Sequence, residues 1–253
     1  IERKAGKPFF IYYPMLLPHD PFVPTPDSPE WADPERRYEH DTIYFKDMIA
    51  YVDKIIGSLE SKLKEKNVWE NTLFIFTADN GTHPSVISAT QSGNIKGAKG
   101  QSINTGNHVP MIISWPEKIK EGRIFTGMID FADFLPTLAD VAGIEPASFF
   151  TDGKSFANVL TSKNFRSEKK EIFIHYSPRW GRFAHNRWVM NEDYKLYRDG
   201  RFYNTFDDPL EENPIKNLSD SEEKLKGKFE ILIQQKENEI PFELNDTAFI
   251  IQN

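Results

Sequence analysis

Residues 72–81, TLFIFTADNG, constrain this chain more than any other stretch. Leu73, Phe74, Ile75 and Phe76 form an unbroken apolar run, bounded by Asn71 on one side and by Asp79-Asn80-Gly81 on the other. An apolar run without alternation predicts a strand covered on both faces, as in a parallel sheet. Its C-terminal end delivers a carboxylate and a carboxamide, then a glycine that lets the backbone turn sharply. Open α/β sheets place their sites at such strand ends, and two oxygen donors suit a hard cation such as Ca2+ or Mg2+. The same three residues are also a common turn signal. On this stretch alone both readings stand.

The rest of the chain supplies neighbours for that strand. Residues 7–15, KPFFIYYPM, predict a second buried strand, with Pro8 at its entry where a missing N–H is tolerated. A proline-stiffened loop follows, and His19 lies just past the strand end. Residues 25–35, rich in Pro, Asp and Ser, predict an irregular surface loop. Helical spacing of Ile43, Met48, Val52, Ile55, Ile56, Leu59 and Leu63 predicts a helix over residues 38–66. Strand, helix and strand in this order predict a crossover with parallel pairing. Residues 82–97 are polar and read as a long loop of the active-site type, with His83 near its start. Lys99 sits between small residues in Gly97-Ala98-Lys99-Gly100, which leaves its ammonium uncrowded. Asn107-His108-Val109-Pro110 leads into a third strand at 111–115, and a short helix is expected at 131–141, capped by Asp130 or Asp133 and ended by Gly143.

Composition shifts after about residue 162. Short strand-like runs at 172–177, 187–190, 194–197 and 201–206 alternate with turn residues, and Asp199-Gly200 signals a hairpin. Residues 219–237 predict a closing helix with Ser219 as N-cap and acidic residues in its first turn. Residues 240–253 read as extended. The expectation is an α/β fold, a mostly parallel sheet flanked by helices over residues 1–163, followed by a small α+β subdomain over 164–253 with antiparallel strands.

Charge and residue counts narrow the function. The net charge is −7 with no basic block, which argues against nucleic acid as a partner. The chain has no cysteine, so it holds neither disulfides nor thiolate metal sites. No stretch reaches the length of a membrane span. No signal peptide is visible, and the chain opens without Met close to a predicted strand, as the later part of a longer protein would. The strand-end groups are His19, Asp79, Asn80, His83, Lys99 and His108. Oxygen ligands for one cation beside cationic and hydrogen-bonding groups suit hydrolysis of an anionic ester, with the metal and Lys99 neutralising charge and His19 giving a proton to the leaving group.

In these stretches the chain resembles the sulfatase family of the alkaline-phosphatase-like superfamily. The matching segments are residues 9–22 (FFIYYPMLLPHDPF), 44–57 (YFKDMIAYVDKIIG), 73–81 (LFIFTADNG), 97–110 (GAKGQSINTGNHVP), 128–143 (MIDFADFLPTLADVAG) and 152–160 (DGKSFANVL). Their order and spacing fit over about residues 5–210. The resemblance implies that Asp79 and Asn80 are metal ligands around Ca2+, with Mg2+ as the other option. It implies that His19 and Lys99 contact the sulfate as catalytic groups, and that His83 and His108 lie on the substrate side. The usual pattern has Glu and Arg where this chain has Asn104 and His108. Family sulfatases take their nucleophile from a formylglycine made in a Cys/Ser-x-Pro/Ala-x-Arg motif. No such motif is present, and the serine stretches at 114–118 and 155–159 lack the arginine. The early aspartate pair of the metal site is missing as well.

The resemblance therefore implies the C-terminal part of a sulfatase, inactive by itself. Its partners would be a glycan or small sulfate ester and the N-terminal portion of the same protein, in the periplasm or outside the cell. Three other readings stay open: a phosphodiesterase or phosphonate hydrolase of the same superfamily, a non-catalytic module that binds sulfated glycans, and a fragment with no independent role. Specificity is expected from residues 20–33 and from 176–182, where Trp180 offers a face for a sugar and Arg179 or Arg182 a contact for an anion.

Overall fold

The computed structural model describes residues 6–91, 93–120, 122–145, 150–162, 169–178, 183 and 185–239. The expectations for residues 179–182 and 240–253 lie outside them. The described elements are α1 (Phe45–Glu65), β1 (Phe74–Thr77), β2 (Ile87–Thr90), β3 (Gly93–Lys96), α2 (Asn104–Asn107), β4 (Met111–Ser114), α3 (Phe134–Val141) and α4 (Ala157–Thr161). They continue with β5 (Ile172–Tyr176), β6 (Asn186–Met190), β7 (Tyr194–Tyr197), β8 (Phe202–Asn204) and α5 (Asp220–Glu239). The chain divides into two compact units, Ile1–Trp69 with His83–Gly97 and Glu70–Thr82 with Ala98–Asn253.

In the first unit, α1 starts later than its apolar spacing suggests. Asp41 accepts a hydrogen bond from the Ile43 N–H and caps a short 3-10 turn, Thr42–Tyr44, that feeds the helix. Tyr44, Met48 and Val86 pack with Phe22, which is 1% exposed, into a small core. The segment expected as a surface loop is partly buried. Thr25 and Ser28 are inside, and the Ser28 hydroxyl donates to Asp47 on α1 at 2.9 Å. A loop can be buried here because its own side chains satisfy its backbone, as in the bond from Thr25 N–H to Ser28 Oγ.

Two further expectations for this unit are corrected. Residues 7–15 form no strand, and Tyr12 is 80% exposed. No described strand pairs with them, so the predicted parallel crossover to β1 is not formed within the described residues. An apolar strand signal gives a sheet only where neighbours complete the ladder. The loop predicted at 82–97 contains the hairpin β2–β3, registered from Ile87 opposite Lys96 to Thr90 opposite Gly93. Every residue of both strands is exposed, and the alternation of Ile87-Ser88-Ala89-Thr90 is too short, among polar neighbours, to mark a strand in sequence.

In the second unit, β1 pairs antiparallel with β4, Phe74 opposite Ser114 and Thr77 opposite Met111. All strand pairs among the described residues are antiparallel, against the expected mostly parallel sheet. Met111 and Ile113 pack with Phe134 and the buried Phe156, Val159 and Leu160, whereas Ile112 on the other face is 64% exposed. Among the described residues, β4 is thus covered on its Met111 and Ile113 side and open to solvent at Ile112. The helix expected at 131–141 is present as a 3-10 turn, Phe131–Asp133, running into α3. Asp130 accepts from the Ala132 N–H at 2.7 Å and Asp133 from the Asp130 N–H at 3.0 Å, a reciprocal cap. Asp130→Ala is expected to cost about 1 kcal/mol, read as a lower midpoint in urea; an unchanged midpoint would show that Asp133 caps alone.

Strands β5 to β8 form a meander in the order predicted from the short apolar runs. The Asp199-Gly200 turn closes β7 onto β8, with Gly200 at φ 90° and its N–H donating to Tyr197 O. Alternation divides the sheet. Val189, Leu196 and Phe202 pack with Phe229 and Ile233 of α5, while Trp188, Tyr197 and Tyr203 form a separate aromatic cluster. Ser219 and Glu222 exchange hydrogen bonds at the start of α5, as its sequence predicts.

Candidate active site

The turn after β1 is held against the segment that carries Lys99. Gly81 N–H donates to Gly106 O at 2.9 Å, and Lys99 N–H donates to Thr82 O at 2.9 Å. The segment is folded tightly on itself through Gln101 N–H to Ala98 O, Gly106 N–H to Ile103 O and His108 N–H to Asn104 O. Farther along, Thr77 Oγ1 donates to Pro110 O at 2.9 Å and fastens the end of β1 to the entry of β4. Glycines make this close approach possible: a Cβ on Gly81 would lie 2.0 Å from Thr105 O, and one on Gly106 2.3 Å from Gln101 O.

Four of the six candidates, Asp79, Asn80, Lys99 and His108, belong to the second unit, and His19 and His83 to the first. Asp79 is exposed and Asn80 half-buried. His108 is exposed and closes α2 through its backbone. His19 is half-exposed in the turn after Leu16, its Nδ1 2.6 Å from Asp20 O and 3.3 Å from Asp20 Oδ1. His83 Nδ1 accepts from Ser85 N–H at 3.2 Å, and its ring meets Phe22 edge-on at 6.0 Å. Among the described residues no three His, Cys, Asp or Glu side chains gather as a metal cluster. Asn104 Oδ1 and Thr105 Oγ1, on the segment against Gly81, are buried without a hydrogen-bond partner among the described residues.

The supports of the Lys99 segment were not legible as site residues. Tyr176 OH donates to Gly100 O at 2.7 Å, and Gly100, at φ 90°, leaves room for the Phe183 ring, which would stand 2.3 Å from a Cβ. Lys195 Nζ and Asn107 Nδ2 both donate to Ser102 O. Lys195 is fully buried and pairs with Glu211 at 2.8 Å; burial pushes its ammonium down to about 8, although Glu211 pulls the other way. Tyr197 OH lies 2.5 Å from Glu211 Oε2, to which it donates, and 3.1 Å from Ser102 Oγ. Burial holds that phenol well above its ordinary range. In the sequence, Lys195 and Tyr197 are simply alternate positions of an aromatic strand, and nothing there links them to a serine more than ninety residues earlier.

The chain shares its fold with a sulfatase from Pseudoalteromonas sp. (23% identity, TM-score 0.62, 84% of this chain and 45% of that one). It also shares it with a protein solved in complex with its substrate D-glucosamine-2-N,6-O-disulfate (24% identity, TM-score 0.58, 80% and 41%). Both are α/β structures of the alkaline-phosphatase-like kind, so this chain is an incomplete α/β domain of that fold. Mouse steryl-sulfatase is 27% identical over 185 residues, which is 70% of this chain and 28% of that protein. The sequence matches the sulfatase family over residues 1–144, and the C-terminal region of N-sulphoglucosamine sulphohydrolase over residues 101–238. The chain belongs to the sulfatase family. It spans less than half the length of each of these relatives.

Proposed function

We propose that this chain is the later part of a sulfatase that hydrolyses sulfate esters, with Asp79 and Asn80 as ligands of a divalent cation and Lys99 as an anchor for the sulfate. The observation that carries the reading is the pinning of the Asp79-Asn80-Gly81 turn to the Lys99 segment by backbone hydrogen bonds, in a chain of this family. The donor set fits Ca2+ or Mg2+, since a carboxylate and a carboxamide both offer hard oxygens. Neither side chain is engaged in a hydrogen bond or ion pair among the described residues, which leaves both available as ligands. When bound, the cation neutralises charge on the sulfate and on its leaving oxygen.

This chain's own residues do the remainder of its share. Lys99 presents a compact positive charge that binds and orients the sulfate. His19, on the family resemblance, holds the proton that the leaving oxygen needs. The nucleophile is assigned to a formylglycine outside this chain, which has no cysteine. A sulfated sugar is the favoured substrate, because a protein of the same fold was solved with one.

The test is a Ca2+ titration of the purified chain by calorimetry. Asp79→Ala is expected to weaken the metal by about tenfold or more, with the urea midpoint unchanged. Equal affinity in wild type and variant would remove Asp79 from the ligand set. In the longer protein, Lys99→Ala is expected to lower kcat/KM for a sulfate ester by about a hundredfold.

A further inference from the structure

We propose that Lys195, together with Glu211 and Tyr197, is a positioning device for the Lys99 segment: a buried cation on the C-terminal sheet that fixes the course of residues 99–102. The inference rests on the reading of Lys99 as the sulfate anchor. Four contacts converge on the segment. Lys195 Nζ and Asn107 Nδ2 share the Ser102 carbonyl. Tyr197 OH reaches Ser102 Oγ, and Tyr176 OH holds the Gly100 carbonyl. Three of the four contacts come from β5 and β7, with the Tyr197 oxygen, its proton given to Glu211, facing the Ser102 hydroxyl, and Lys195, Tyr197 and Trp188 belong to one patch of the sheet. Lys195 Nζ lies 4.7 Å above the Trp188 ring and 4.9 Å from the Tyr197 ring.

A side chain that only filled space here would be apolar. Burying an ammonium is costly, and Glu211, the two aromatic faces and one carbonyl offset that cost. What the ammonium adds is a directed, charge-assisted bond to a single backbone oxygen, three residues from Lys99. A short loop between two fixed points, Thr82 at Lys99 N–H and Lys195 at Ser102 O, has little freedom left. The ammonium of Lys99 is thereby carried on a preorganised backbone, which lowers the ordering cost of binding an anion.

The experiment uses the whole chain. Hydrogen exchange by mass spectrometry follows a peptide spanning residues 98–103 beside peptides from β6 and α5. A titration with inorganic sulfate, followed through 15N-labelled lysine, reads the anion site. Lys195→Met is expected to speed exchange of the 98–103 peptide by about tenfold, the loss of one charge-assisted bond, beyond whatever common loosening of β6 and α5 the stranded Glu211 carboxylate brings. Sulfate affinity should fall about as far as in Lys99→Ala. Unaltered exchange at 98–103 in a folded variant, or equal loosening of all three peptides, overturns the positioning role. A loosened 98–103 peptide with sulfate affinity unmoved by both Lys195→Met and Lys99→Ala keeps the positioning role and overturns the reading of Lys99. If Lys195→Met does not fold, Tyr197→Phe carries the test, since it deletes one oxygen and strands no charge. About threefold faster exchange at 98–103 is then expected, and none counts against the proposal.

Discussion

Gly81→Ala is expected to destabilise the second unit by about 3 kcal/mol, the upper range for forcing atoms into a packed site. The added methyl would lie 2.0 Å from Thr105 O and 2.8 Å from Thr105 C, both backbone atoms. Neither can swing aside as a side-chain end can. Thr105 cannot retreat easily either, because its neighbour Gly106 is equally confined, with Gln101 O 2.3 Å and Ala98 O 2.5 Å from where its own Cβ would be. The turn must therefore part from the 104–106 segment and lose the Gly81 to Gly106 hydrogen bond. Urea unfolding of the purified chain measures the loss. Gly57→Ala is the control: it lies inside α1 with nothing within 4 Å of its Cβ, and should gain about 0.7 kcal/mol from helix propensity. Equal midpoints for Gly81→Ala and wild type would mean that the turn and the segment are not held in contact. On the sulfatase reading, the same variant displaces Asp79 and Asn80 and weakens Ca2+ without touching either ligand.

What the sequence disclosed follows the range of the forces involved. The C-terminal meander and α5 were legible because their signals are local: β-rich runs, Asp199-Gly200 at a positive φ, Ser219 and Glu222 at a cap. The Asp79-Asn80-Gly81 turn was legible for the same reason. The segment at 7–15 shows the opposite case. Its apolar residues predict a buried strand, yet burial is a property of neighbours, and here Phe10 and Tyr12 face solvent. The parallel sheet was likewise inferred from the order of elements, whereas β1 finds its described partner in β4, antiparallel. Of the candidate site, the strand end and the lysine between Ala98 and Gly100 are proposed from residue types alone. Its supports could not be, because Lys195, Tyr197 and Tyr176 act on Ser102 and Gly100 across long stretches of chain.

Glu211→Gln is expected to cost 3 kcal/mol or somewhat more, on the order found when one partner of a buried ion pair is removed. The carboxylate is 2% exposed and 2.8 Å from a fully buried Lys195. Glutamine can still accept the Tyr197 proton, so what is lost is charge compensation and not shape. The pH dependence identifies the cause. Lys195 is already lowered in the folded protein, to about 8 from 10.5, so the unfolded chain holds its proton more tightly. Stability then rises with pH across that interval, and the penalty of the buried cation is full below it. Without Glu211 the folded-state value falls further, and the window of rising stability begins at a lower pH. The deficit of Glu211→Gln relative to wild type should therefore be largest near pH 6.5 and shrink as Lys195 sheds its proton toward pH 9.5. Denaturation midpoints at the two pH values measure it. A deficit of the same size at both would assign the loss to packing. The double variant Lys195→Met, Glu211→Gln removes the cation itself, and is expected to regain at least half of the loss and to show no such pH dependence. A double variant as weak as Glu211→Gln alone would mean that the carboxylate serves Tyr197 and not Lys195.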